Sequence, residues 1–181
     1  MLDGEEKLIQ DAVTEGDSSA FGKLYDHYQP MIYRFVLIKV GRREEAEDIT
    51  HQVFLRAWQN VRTYSHRGHP FGSWLYRIAR NQIVDHYRSR KDDIPLETVD
   101  AEALSFQTSQ PDVSVRMDME KVMAAIHLLK PDYQDAIVLR FVEDLSIKET
   151  SEVMHKTEGA VKLIQHRAIE ELKKQLDHES S

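Results

Sequence analysis

The sequence predicts an all-α protein: two small helical domains joined by a flexible acidic linker, the second ending in a helix-turn-helix. Three observations carry that expectation. Apolar residues recur at helical spacing through most of the chain, and no strand pattern stands out. Glycine and proline are sparse, at 7 and 5 of 181 residues, and mark breaks between periodic segments. One segment, KDDIPLETVDAEALSFQTSQPDV at 91–113, has two prolines, many acids, Ser and Thr, and little helical period. It reads as a linker with at most one weak helical turn, dividing a domain over 1–90 from one over 114–181.

Each element follows from its own residues. GEEKLIQDAVTEG places Leu8, Ile9, Ala12 and Val13 at helical spacing and stops at Gly16. Asp17 and Ser18 are candidate caps for a second helix through Phe21, Leu24, Tyr25 and Tyr28. Pro30 opens or kinks the next segment, MIYRFVLIKVG, which stops near Gly41. From about Glu44 to Val61 a helix sets Ile49, Val53, Leu55 and Trp58 among Glu, Asp, Gln and Arg. A loop with Gly68 and Pro70 leads into FGSWLYRIARNQIVDHYRSR, a helix over 71–90. Beyond the linker, VRMDMEKVMAAIHLL is an amphipathic helix ending before Pro131, and PDYQDAIVLRFVED is a second. LSIKETSEVMHKTEGAVKLIQHRAIEELKKQL then holds two helices separated by a short turn. Ser146 with Glu149 matches a capping box, and Thr157 can cap the last helix. Val161, Ile164, Ala168 and Leu172 form that helix's buried stripe.

Composition narrows the functions available. At 41% hydrophobic and 30% charged, the chain suits a soluble globular protein. No apolar run approaches the roughly 20 residues that span a bilayer, and MLDGEEKLIQ lacks the basic start and apolar stretch of a signal peptide. With no cysteine there is no disulfide and no thiolate metal site, so a reducing cytoplasm is the expected location. The net charge of −7 argues at first against nucleic acid, but its distribution does not. Residues 21–90 carry twelve Lys and Arg against six acids, whereas residues 91–120 carry two against eight. A basic body is followed by an acidic connector, and a polyanion responds to the local field rather than the total.

Two segments carry recognition chemistry. On the 71–90 helix, Leu75, Ile78, Ala79, Gln82 and His86 share one side, and Arg77, Arg80, Asn81, Val84 and Arg88 gather on the other. The first is a core face. The second is either a solvated charged face, the ordinary explanation, or a lining for phosphates. In the C-terminal helix-turn-helix, Glu158, Lys162, Gln165, His166, Ile169 and Lys173 face away from the buried stripe. Lys, Gln and His near a helix N-terminus can reach base edges or phosphates in a major groove, although two packed surface helices give the same pattern. His66, His69 and His86 do not make a metal site, because no acidic or cysteine partner stands at ligand spacing.

AEDITHQVFLRAW at 46–58, SWLYRIARN within 71–90 and GAVKLIQHRAIEEL at 159–172 occur in this order, with the acidic linker between the last two. Together they resemble the extracytoplasmic-function group of bacterial RNA polymerase sigma factors, over about Ala20 to Leu176. The resemblance implies a two-domain transcription initiation factor with no catalytic residues and no cofactor. Its partners would be core RNA polymerase, promoter DNA and an anti-sigma factor. Asp48, Gln52, Phe54, Leu55 and Trp58 match the helix that docks on the clamp helices of the largest polymerase subunit. The loop holding Tyr64, His66 and Arg67 would take an unstacked base of the minus-ten element, with Arg77, Arg80, Asn81 and Arg88 lining the strand's backbone. Lys156, Thr157, Glu158, Lys162, Gln165, His166 and Arg167 match the minus-35 reader. There the chain departs from the family, which often has Ser-Arg-Leu where this sequence has Leu163, Ile164 and Gln165. A stand-alone helix-turn-helix regulator would instead bind a palindromic duplex without polymerase. An enzyme would need a carboxylate pair, nucleophile elbow, phosphate loop or zinc spacing, none of which the sequence offers.

Overall fold

The computed structural model describes residues 4–64, 70–89 and 113–179, and every regular element among them is helical. The proposed linker at 91–112 and the loop residues His66, Arg67, Gly68 and His69 lie outside the described residues. The N-terminal domain consists of α1 (Glu5–Gln10), running on as a wider turn over Asp11–Glu15, with α2 (Ser18–Val40), α3 (Arg43–Asn60) and α4 (Phe71–Ser89). The C-terminal domain consists of α5 (Val113–Leu128), α6 (Pro131–Ile137) with a widened turn over Val138–Val142, α7 (Ile147–Met154) and α8 (Glu158–Glu179). Val113, read from sequence as the last linker residue, is the first residue of α5.

The ends of these helices obey local chemistry. Gly16 and Gly41 close their helices at φ 66° and 75°, a left-handed conformation that strains residues bearing a Cβ. Asp17 caps α2 by accepting the Ser19 amide at 2.7 Å. The capping box forms as expected: the Ser146 amide donates to Glu149 at 2.8 Å and the Glu149 amide donates to Ser146 Oγ at 3.2 Å. The Gln134 side chain donates to the carbonyls of His127 and Leu129, both at 3.0 Å, satisfying acceptors at the end of α5.

Pro30 does not divide α2, which runs unbroken across it. An interior proline costs about 3 kcal/mol. Pro30 and Asp26 one turn earlier both face solvent, so water can serve the freed carbonyl. On either side Leu24, Tyr28, Ile32 and Phe35 form one buried stripe, and each large apolar side chain buried returns about 1.5–3 kcal/mol. Continuity of the stripe outweighs the proline.

The two domains are packed together. Phe35, Val36 and Leu75 of the first share a continuous core with Ile126, Ile137, Val138 and Val153 of the second. The start of α4 explains its aromatics: Phe71 lies 5.7 Å from Tyr28, 5.3 Å from Tyr64 and 5.4 Å from Trp74 between ring centroids. Gly72 permits this approach, since a Cβ there would meet the Tyr28 ring at 3.0 Å. The other long side of α4 packs against α7, so the helix is covered on two sides.

Candidate nucleic-acid and partner interfaces

The outer face of α3 is built by spacing. Ala46, Ile49, Val53 and Ala57 point into the core, which leaves Asp48, Gln52 and Leu55, at i, i+4 and i+7, side by side in solvent. Leu55 is 42% exposed in a helix otherwise studded with charge, the composition of a contact patch with an apolar centre and polar rim. The other two residues assigned to this patch sit differently. Phe54 is 4% exposed and packs edge-on to Tyr25 at 4.7 Å, while Trp58 is half-buried against Phe21 at 5.0 Å. Both brace the helix from behind.

Tyr64 is likewise internal, its ring tilted against that of Trp74 at 5.2 Å between centroids. Burial, helped by the carboxylates of Glu5 and Glu152, pushes its phenol up to about 12. On α4, Asn81 and Arg88 are exposed and Arg77 is half-buried, on the side opposite Leu75, Ala79 and Gln82 as the helical period requires.

Arg80 is engaged elsewhere. Its Nε donates to Asp135 Oδ2 at 2.7 Å and its Nη2 to Asp132 Oδ1 at 3.1 Å, both on α6. Lys39 of α2 donates to the other oxygen of Asp135 at 2.6 Å. One turn from Arg80, Tyr76 donates to Glu143 at 2.7 Å, and Arg34 grips both oxygens of Glu143 at 2.8 Å each. These carboxylates are deep: the side chains of Glu143 and Asp135 are 0% and 3% exposed. The hydrogen bonds to Glu143 hold the Arg34 guanidinium above its usual value. Burial first, then Glu143, drives the Tyr76 phenol far upward.

In the helix-turn-helix, His155 takes the left-handed turn conformation at φ 52° and Thr157 Oγ1 accepts the Ala160 amide at 3.2 Å. Glu158, Lys162, His166 and Arg167 are exposed along the first two turns of α8 and beyond. Two residues of the assigned reader are tied down. Lys156 Nζ lies 3.1 Å from Asp132 Oδ2, and Gln165 Oε1 accepts from Arg140 Nε at 3.1 Å, with Arg140 also bonded to the Leu145 carbonyl. Ile169, expected on the outer face, is partly buried against the core. Val161 and Ala168 are fully buried and Ile164 and Leu172 pack on the core, as the stripe predicts.

Sequence reasoning did not single out Arg34, Lys39, Tyr76, Asp132, Asp135 or Glu143. Each is a polar residue on an amphipathic helix or in a turn, and only the approach of the second domain gives it a partner.

Residues 24–92 match the family described as Sigma-70 region 2, and residues 119–172 match Sigma-70, region 4. The chain is 37% identical over 159 residues to the ECF RNA polymerase sigma factor BldN of Streptomyces coelicolor, covering 87% of this chain and 60% of that protein. It is 33% identical over 174 residues to the ECF RNA polymerase sigma factor SigW of Bacillus subtilis, covering 91% and 92%. Among solved structures it is similar in fold to CnrH in complex with the cytosolic domain of CnrY, with a TM-score of 0.73 at 22% identity over 97% of this chain and 98% of that one. The sigma factor RpoE of Bartonella quintana, in complex with the anti-sigma factor NepR, gives a TM-score of 0.68 at 21% identity over 87% and 96%.

Proposed function

Because the chain belongs to the extracytoplasmic-function RNA polymerase sigma factors, we propose that it docks on core polymerase through α3, delivers the enzyme to promoters and helps melt the minus-ten region. The observation that carries the docking role is the exposed Asp48, Gln52 and Leu55 face on a helix whose other side is fully core. An exposed leucine ringed by Asp and Gln suits a helix-to-helix contact with the polymerase clamp helices. The factor works by binding alone. Capture of an unstacked base offsets the few kcal/mol of unpairing, with Arg77, Asn81 and Arg88 of α4 along the strand and Lys162, His166 and Arg167 of α8 on the minus-35 duplex. No helix among the described residues is long and apolar enough to cross a membrane, in keeping with a cytoplasmic factor held in check by an anti-sigma protein.

Replacing Asp48 and Gln52 together with Arg is expected to abolish co-purification with core polymerase and run-off transcription while helicity by circular dichroism is unchanged. Wild-type binding by that variant would remove α3 from the role.

A further inference from the structure

We infer that the groove between α1 and Tyr64 receives a second base of the opened single strand, and that Glu6, Gln10 and Thr14 select that base by its amino group. The inference rests on the reading above for its partner, a strand held at the loop that follows Tyr64.

Helical spacing builds the groove. Glu6, Gln10 and Thr14 recur at i, i+4 and i+8, with Ile9 and Val13 beside them. These five residues and Tyr64 line a cavity of about 290 Å³. Ile9 and Tyr64 are buried and Val13 is half-buried, whereas Glu6, Gln10 and Thr14 are exposed. An apolar, partly aromatic floor thus lies below a polar rim. The volume is at the lower edge of sites that enclose a whole small molecule, and it suits one flat group inserted from a longer chain. Proteins that hold single strands give each exposed base an aromatic or apolar wall and read its edge with a few polar groups.

The rim has the chemistry to read an edge. The Glu6 carboxylate and the Gln10 side chain have no hydrogen-bond partner among the described residues. Thr14 Oγ1 donates its hydrogen to the Gln10 carbonyl at 2.7 Å, so towards the groove its oxygen can only accept. Two acceptors match a base that offers an amino group, as cytosine does, and oppose thymine, which sets carbonyl oxygens against them.

Charge fixes the orientation. Glu6, Asp11 and Glu15 repel phosphate, so the sugar-phosphate chain has to pass outside the groove. Arg62 waits there. It is exposed, pairs with no carboxylate among the described residues, and lies across the end of the widened turn, where a Cβ on Gly16 would meet its Nη2 at 2.8 Å. Arg62 then positions the strand through a phosphate, and the α1 rim specifies the base.

The test uses holoenzyme reconstituted from the full chain and core polymerase, with fluorescent single-stranded decamers of deoxycytidine and of thymidine read by anisotropy. The cytidine decamer should bind about fivefold or more tightly than the thymidine decamer. Glu6→Gln should bring the two affinities to within about twofold, and Gln10→Ala should weaken the cytidine decamer selectively. Arg62→Ala should weaken both equally and lower the slope of log affinity against log salt by about 0.7. All three positions are exposed, and circular dichroism checks that each variant is folded. Cytidine decamers carrying 5-iodocytosine should cross-link on irradiation within residues 6–14 or at Tyr64. A cytidine-to-thymidine ratio that Glu6→Gln leaves unchanged overturns the inference, as does a gain shared equally by both decamers, which is only the removal of a distant charge. Cross-links confined to other segments overturn it as well. In each of those cases holoenzyme that still binds single strands better than core alone leaves the sigma-factor reading standing. A chain that neither joins core nor adds strand binding to it brings down both.

Discussion

His127, near the end of α5, has its Nε2 buried with no hydrogen-bond partner among the described residues. Burial, and then the Lys39 ammonium that pairs with Asp135, lowers its pKa from the usual 6.5. Below 6.5 the unfolded chain takes up a proton that the folded chain refuses. Stability is therefore complete above about pH 6.5 and falls as the pH drops from there toward the folded value, by up to about 1.4 kcal/mol per pH unit. Urea midpoints measured from pH 7.5 to 5.5 should decline on this account, and His127→Gln should flatten the decline. An equally steep decline in the variant would assign the acid sensitivity to other groups. Nothing about His127 in the sequence marks it out; its burial and the Lys39 ammonium beside it arise only in the folded chain.

At the scale of elements, α7 and α8 were largely legible. The Ser146 and Glu149 pair, the turn at His155 and the Thr157 cap all appear where four-residue rules place them, because capping depends on groups within one helical turn. Ser146→Ala should cost about 1 kcal/mol of unfolding free energy, read from urea denaturation, and Ser146→Asn should restore most of it. An unchanged midpoint in the alanine variant would mean that packing on α4 and α8 holds the short α7 without its cap. The less legible part was which outer residues stay free. Helical period puts Gln165 and Arg80 on polar faces correctly, yet it cannot show that Arg140 and Asp135 wait opposite them. Phe54 illustrates the converse: its neighbours on α3 suggested a patch, and only the position of Tyr25 makes it core.

For the molecule as a whole, the shared core and the charged interface predict coupled unfolding. Both tryptophans, Trp58 and Trp74, lie in the N-terminal domain, so their fluorescence reports on that half while far-ultraviolet ellipticity reports on both. The two signals should give coincident urea transitions in the natural chain. Glu143→Gln withdraws the charge shared by Arg34 and Tyr76 and should lower the midpoint of both signals together, since the apolar core shared by the two domains remains. Non-coincident transitions in the natural chain would show that the interface contributes little in solution.

The sequence by itself determined the helices, their caps and stops, the division into two domains and the family, because these depend on residues close along the chain or on motifs read in order. Pro30 was the local signal that misled, since a continuous buried stripe on both sides outweighed one missing hydrogen bond. What only the tertiary structure decided is how the domains face each other. Arg34, Lys39, Tyr76 and Arg80 meet Asp132, Asp135 and Glu143 across separations of 52 to 109 residues. No periodicity encodes such pairs: a charge on an amphipathic helix looks the same whether water or an opposite charge from the other domain will face it, and its energy depends on the burial that the fold alone creates.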